Sequence, residues 1–216
     1  MLDAPSPALL QPSRPLPARL IRLGVGLTVV AALLAFAVRA QAQEPGASSV
    51  TLRPIVGALV GTGAQRGALR NTVLVGGQAS LVVHPNAALV GTFSWSPNRN
   101  ELSLQRPRLD VYQYDVGLEG RFNDVTRQSP VVTRPYGTFG AGARTYDPRR
   151  VPNAEAQSNP LLYGAAGVDL EPADGRFGVR LEARDNVTWF KGFRGELPEI
   201  QARNDLQFSA GLTFGI

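Results

Sequence analysis

From Val50 to Ile216 the sequence shows no helical stripe of apolar residues. Instead it alternates apolar and polar side chains in short segments parted by clusters of Gly, Pro, Asn and Asp. In the clearest segment Phe177, Val179, Leu181, Ala183, Val187 and Trp189 fall on one side, and Arg176, Gly178, Arg180, Glu182 and Arg184 on the other. Asp185 interrupts the apolar side, as a bulge would. In the last segment Leu206, Phe208, Ala210, Leu212, Phe214 and Ile216 alternate with Asp205, Gln207, Ser209, Gly211, Thr213 and Gly215. A third sets Tyr112, Tyr114, Val116, Leu118 and Gly120 against Gln113, Asp115, Gly117, Glu119 and Arg121. Successive side chains of a strand point to opposite faces, so this pattern demands a sheet with one apolar and one polar face.

Weaker segments of the same kind cover Leu52 to Thr62, Asn71 to Val83, Ala87 to Trp95, Val131 to Tyr146 and Leu161 to Glu171, which makes eight strands in all. Several are rich in glycine, and in residues 52 to 83 and 131 to 146 the inward face stays open by one residue.

Alternation alone is shared with soluble sandwiches and barrels. Three further features point to a membrane. The polar face carries full charges separated by small residues, as a narrow polar lumen requires. The connections alternate in length, long at Gly63 to Arg70, Pro97 to Arg108, Asp147 to Pro160 and Lys191 to Ala202, short at His84-Pro85-Asn86 and at Pro172 to Gly175. The connection Phe122 to Pro130 is the exception, longer than a periplasmic turn should be. Finally, Trp95, Tyr112, Tyr114, Tyr146, Tyr163 and Trp189 are expected near the long-loop rim and Phe122, Phe177 and Phe214 near the other, as two aromatic girdles. Backbone groups in hydrocarbon must all be paired, so strands cross a bilayer only as a closed barrel. The expectation is an all-β, eight-stranded antiparallel up-and-down transmembrane barrel, the size at which side chains fill the interior.

The N-terminal segment reads as an address. Arg14, Arg19 and Arg22 precede an apolar run from Leu23 to Val38, and Ala40-Gln41-Ala42 offers small residues where a signal peptidase cuts. The 16-residue run falls short of the roughly 20 that a spanning helix needs. Residues 1–42 are therefore expected to be a cleaved signal peptide and residues 43–216 the barrel domain. This changes the meaning of the formal charge of +5, because Arg14, Arg19, Arg22 and Arg39 with Asp3 place +3 of it in the signal. The remaining excess is scattered through the strands and loops and gives no footprint for nucleic acid. The absence of cysteine excludes disulfides, thiolate metal sites and a lipidated N-terminal Cys.

The signal peptide, the eight-segment ladder and the C-terminal strand together resemble the small bacterial outer-membrane β-barrel proteins of the OmpA/OmpX and opacity-protein type. The closing stretch Ser209-Ala210-Gly211-Leu212-Thr213-Phe214-Gly215-Ile216 is similar to the terminal signal read by the barrel-assembly machinery, with Ser209, Gly211, Phe214 and Ile216 at its marked positions. The family usually ends in Phe, and here Ile216 takes that place. Pro135-Tyr136-Gly137-Thr138-Phe139-Gly140-Ala141-Gly142-Ala143 is also similar to Gly-rich strands of the family. The resemblance implies location in the bacterial outer membrane, contact with its lipid and lipopolysaccharide, and assembly by that machinery. It implies no particular activity.

Asp115, Glu119, Arg121, Arg144, Asp169, Arg180, Glu182, Arg184 and Asp205 are the expected lumen charges. They could line an ion path, but charges confined with few waters keep their ionisation only by pairing, so a structural salt-bridge network is the expectation. His84, the single histidine, stands in a predicted periplasmic turn, remote from the outer rim where a lipid deacylase would need a Ser/His pair. Arg149 and Arg150 in one long loop, and Lys191 and Arg194 in another, could meet lipopolysaccharide phosphates or an extracellular ligand. No Walker, dinucleotide or EF-hand motif is present in the sequence, and no catalytic residue, metal site or cofactor is expected. The reading is a non-catalytic outer-membrane barrel, structural or ligand-binding through its loops. Two alternatives stand beside it, a soluble secreted lipocalin-like barrel for a small apolar ligand and a small pore. The lipocalin would turn Phe177, Val179, Leu181, Phe208, Leu212 and Phe214 inward.

Overall fold

The computed structural model describes residues 50–62, 66, 70–99, 108–123, 125, 129–149, 156–172, 177–190 and 201–215. Eight strands follow one another: β1 Val50–Gly61, β2 Thr72–His84, β3 Ala87–Arg99, β4 Arg108–Arg121, β5 Val131–Pro148, β6 Gln157–Pro172, β7 Gly178–Phe190 and β8 Gln201–Gly215. Each pairs antiparallel with the next, and β1 pairs with β8 from Thr51↔Gly215 to Gly61↔Asp205, so the sheet closes on itself without a crossover. Closure leaves no unpaired edge, the condition for strands to stand in hydrocarbon. The expected signal peptide, residues 1–42, lies outside the described residues.

The two faces of this sheet are inverted relative to a soluble barrel. Along β7 Arg180, Glu182, Arg184, Asn186 and Thr188 are buried, while Leu181 is 44% exposed. Along β8 Asp205 and Gln207 are buried, and Phe208 and Leu212 are 48% and 47% exposed. The apolar residues form the outer coat and the charged ones the core, the reverse of the lipocalin alternative.

Where glycine left the register open, the structure settles it. In β1 Thr51, Arg53, Ile55 and Leu59 face inward, and in β2 Leu74, Gln78 and Ser80 do the same. Ile55, Leu59 and Leu74 thus form one small apolar cluster inside the bore, and Leu109, Val111 and Tyr146 form another. In β5 the even-numbered residues Tyr136, Thr138, Arg144 and Tyr146 point in.

Two expectations are corrected. Tyr146 and Tyr163 do not join the outer girdle. They are 1% and 5% exposed and point into the lumen, because each shares the inward register of its strand with the charges. Trp95, Tyr112, Tyr114 and Trp189 occupy the outward register instead. The strands are also longer at the long-loop end than alternation suggests, with β3 and β4 paired up to Arg99↔Arg108 and β5 and β6 up to Tyr146↔Gln157. Above the lipid an outward residue gains nothing by being apolar, so pairing continues where the hydrophobic pattern stops. The anomalous Phe122 to Pro130 connection is partly a continued hairpin, with the Phe122 amide donating to the Pro135 carbonyl (2.9 Å) and that of Val125 to Thr133 (3.1 Å).

Candidate functional site

The polar core is a stack of charge clusters spanning the bore. Period-2 placement on β7 puts Arg180, Glu182 and Arg184 on one inward column, and β4 supplies Gln113, Asp115 and Glu119 from across the barrel. At the lower level Arg180 binds Glu119, lies 3.3 Å from Asp169 on the neighbouring β6, and comes within 3.7 Å of Glu182. Arg121 adds a second contact to Glu119 at 2.7 Å. In the middle Arg184 binds Asp115 and Glu182, both at 2.9 Å, and donates to the Thr92 hydroxyl at 3.4 Å. At the upper level Arg144 of β5 forks onto both carboxylate oxygens of Asp205, with Nη2 at 3.0 Å from Oδ1. Asn186 donates to the same Oδ1 at 3.1 Å.

Gln113 joins the upper and middle levels. Its carbonyl accepts from Arg144 (2.6 Å) while its amide donates to Asp115 (2.9 Å) and Asn186 (3.3 Å). Two tyrosines complete the packing. The Arg180 guanidinium lies 3.5 Å above the Tyr136 ring and that of Arg184 4.0 Å above Tyr163, a cation–π geometry that matters most where water is excluded. The Tyr136 hydroxyl donates to Glu182 at 3.1 Å.

These rings need room, and glycines supply it. A Cβ on Gly167 would strike the Tyr136 hydroxyl, and one on Gly117 or Gly140 would strike Tyr163. Tyr136↔Gly167 and Gly140↔Tyr163 are direct cross-strand partners, so each aromatic ring leans over the glycine opposite it.

All nine sequence-predicted lumen charges point into this network, and each of its five carboxylates is held by an arginine. Sequence reasoning puts Gln113 on the polar face without naming it as a member, and misses Arg53, Tyr136, Tyr163 and Asn186. Arg53 is anchored by Thr213 (3.1 Å), Ser80 (3.1 Å) and Gln78 (3.3 Å) at the short-turn end, and the pattern hides it because Ile55 and Leu59 share its face. Gln113 and Asn186 carry no charge, but both lie on columns whose register is legible.

The other candidates lie away from the core. His84 is the exposed last residue of β2, where its Nδ1 accepts the Asn86 amide at 3.3 Å, a local contact onto the β2–β3 turn at the short-connection end. Arg149 caps the β4–β5 rim on Asp110, whereas Arg150, Lys191 and Arg194 lie outside the described residues. Ser209 and Gly211 stand on the inward column of β8, and Phe214 pairs with Leu52 of β1 through the backbone. Ile216 lies outside the described residues. Among the described residues no three His, Asp or Glu side chains converge as metal ligands would.

No family model matches this sequence, and no curated protein matches it either. Solved structures do match. Neisserial surface protein A aligns at 16% identity with a TM-score of 0.52, covering 78% of this chain and 99% of that one. The outer membrane protein OprG from Pseudomonas aeruginosa aligns at 13% identity with a TM-score of 0.51, covering 79% of this chain and 96% of that one. At such identity the likeness concerns architecture, and it agrees with the inverted faces and the closed ladder seen directly. The chain has the fold of the small eight-stranded β-barrels of the bacterial outer membrane.

Proposed function

We propose that this chain is a non-catalytic barrel of the bacterial outer membrane, exported by residues 1–42. In this reading it is inserted by the barrel-assembly machinery through the terminal signal Ser209, Gly211, Phe214 and Ile216, and it acts structurally or by ligand contact through its long loops. The observation that carries the reading is the way the lumen is filled. Its carboxylates are all neutralised by arginines, and Arg144, Arg180 and Arg184 are 0–2% exposed, so the bore holds a packed ionic core rather than a wet path. Among the described residues no carboxylate in it is left unpaired to act as a base, and the one histidine sits exposed at the end of β2. What remains for interaction is the outer rim with its loops and the lipid-facing wall. Lipid, including lipopolysaccharide, is the expected surrounding partner.

The test is cell fractionation with unheated and boiled gel lanes. A heat-shifted band in the outer-membrane fraction supports the reading, and a soluble periplasmic band without a heat shift overturns it. In planar bilayers the purified barrel is expected to give no discrete conductance steps. Regular steps would replace the packed-core reading with a pore.

A further inference from the structure

On the outer wall of the β3–β4 seam the cross-strand pairs change character with height. Leu89↔Leu118 and Gly91↔Val116 give way to Phe93↔Tyr114 and Trp95↔Tyr112, then to Pro97↔Asp110, and finally to Arg99↔Arg108. The order runs from hydrocarbon through an aromatic interface to charge, and it ends on two arginines set directly opposite each other. Like charges in a cross-strand pair repel, and among the described residues neither arginine is paired with a carboxylate.

Two more arginines border the same place. The Arg149 amide donates to the Arg108 carbonyl at 2.7 Å, and its side chain holds Asp110. Arg70 is fixed by the buried Asn98 amide, which accepts from the Arg70 N–H at 3.1 Å and donates to its carbonyl at 3.0 Å. Together they frame a cleft of about 510 Å³ with Trp95 on its wall. Asp110 is the one carboxylate lining it among the described residues, and Arg149 already occupies that group.

We propose that this cleft binds the phosphate of an anionic lipid headgroup in the outward-facing leaflet, with Arg99 and Arg108 as the clamp, Arg70 and Arg149 flanking, and Trp95 against the apolar part of the lipid. The inference rests on the outer-membrane reading above. Guanidinium forks match phosphate oxygens in pairs, and a bound phosphate cancels the repulsion that the Arg99↔Arg108 pairing creates. The height of the site, two outward pairs above Trp95↔Tyr112, favours a headgroup over a free anion, because lipid phosphates lie just above an aromatic interface.

The experiment compares thermal unfolding of the barrel, followed by the heat-shifted gel band, in phosphatidylcholine vesicles alone, with diphosphorylated lipid A, and with dephosphorylated lipid A. The diphosphorylated lipid is expected to raise the midpoint by several degrees and the dephosphorylated one to leave it unchanged. Arg99→Gln/Arg108→Gln is expected to lose the shift. Arg134→Gln, at an exposed pair with Glu171 away from the cleft, is expected to keep it. Should the double variant fold poorly, Arg70→Gln, which lies outside the strands, is expected to reduce the shift on its own. An undiminished shift in the cleft variants overturns the proposal, as does an equal shift produced by inorganic phosphate in phosphatidylcholine vesicles. A protein that forms no heat-shifted band even in phosphatidylcholine overturns the membrane reading itself, whereas one that inserts but ignores the lipid phosphate overturns only this site.

Discussion

Tyr163 and Gly140 face each other directly across the β5–β6 seam, and the tyrosine ring lies over the glycine where a Cβ would be. The ring in turn carries the Arg184 guanidinium, so a missing methyl on one strand positions a charge donated by another. Gly140→Ala is expected to destabilise the barrel by about 1–3 kcal/mol, because the new Cβ meets the Val116 carbonyl and the Gly117 backbone as well as the ring. Gly164→Ala is the internal comparison, since a Cβ there meets nothing within 4 Å. Urea unfolding in vesicles should separate the two variants, and equal stability would refute the ring-over-glycine account.

The Arg144–Asp205 pair bridges β5 and β8 at the top of the core. Removing one partner leaves a charge buried without compensation, at a cost of about 3–5 kcal/mol, whereas replacing both with apolar residues of similar volume removes the desolvation penalty along with the attraction. Arg144→Met and Asp205→Leu are each expected to be strongly destabilising, and the double variant to recover most of the loss. A double variant as unstable as the sum of the singles would show that the two act through other neighbours, Gln113 and Asn186 first among them.

How far the sequence reaches follows from where lipid imposes a pattern. On β7, β8 and the lower half of β4, outward residues must be apolar and inward ones must be polar, so alternation alone assigns Arg180, Glu182, Arg184, Asp205, Asp115 and Glu119 to the lumen. The rule weakens in two settings. Inside the bore a tyrosine is as acceptable as a charge, and an aromatic therefore does not reveal its face, which is why the pattern misplaces Tyr146 and Tyr163 in the girdle. Above the membrane nothing sorts the two faces, so the paired ends of β3 and β4, and with them the opposed arginines Arg99 and Arg108, look like loop in the sequence. Pairing partners across the bore, such as Arg184 with Asp115, depend on barrel closure and shear, which no local pattern encodes.

The lipid-facing wall makes its own prediction. Leu181 and Leu212 are 44% and 47% exposed on the outward columns of β7 and β8. Leu181→Arg should cost about 2–4 kcal/mol toward the bilayer midplane, and Leu212→Arg less, because Leu212 pairs with Val179 one step from the short-turn end of the β7–β8 ladder, where the cost falls toward zero. Vesicle insertion measured by the heat-shifted band should drop for both. Normal insertion of the two variants would mean that this wall does not face lipid.

Asp185 is the exception on that wall, and it predicts the opposite sign. The residue lies in the outward register of β7 between Gly164 of β6 and Leu206 of β8, in a shallow concavity whose lining includes Phe139, Ala166 and Ala183. It is not a bulge, since the pairing of β7 with both neighbours runs through it unbroken. Arg184 also borders this concavity, but its guanidinium is turned inward onto Asp115 and Glu182, so among the described residues the Asp185 carboxylate has no arginine partner. Asp185→Leu should therefore stabilise the inserted barrel, by less than the roughly 2–4 kcal/mol that an arginine costs at such depth. Asp185→Asn removes the charge while keeping the shape, and should recover part of the gain. The readout is the urea midpoint in phosphatidylcholine vesicles. If Asp185→Leu lowers that midpoint, the carboxylate is making a contact that stabilises the wall, and the outward position is being used rather than tolerated.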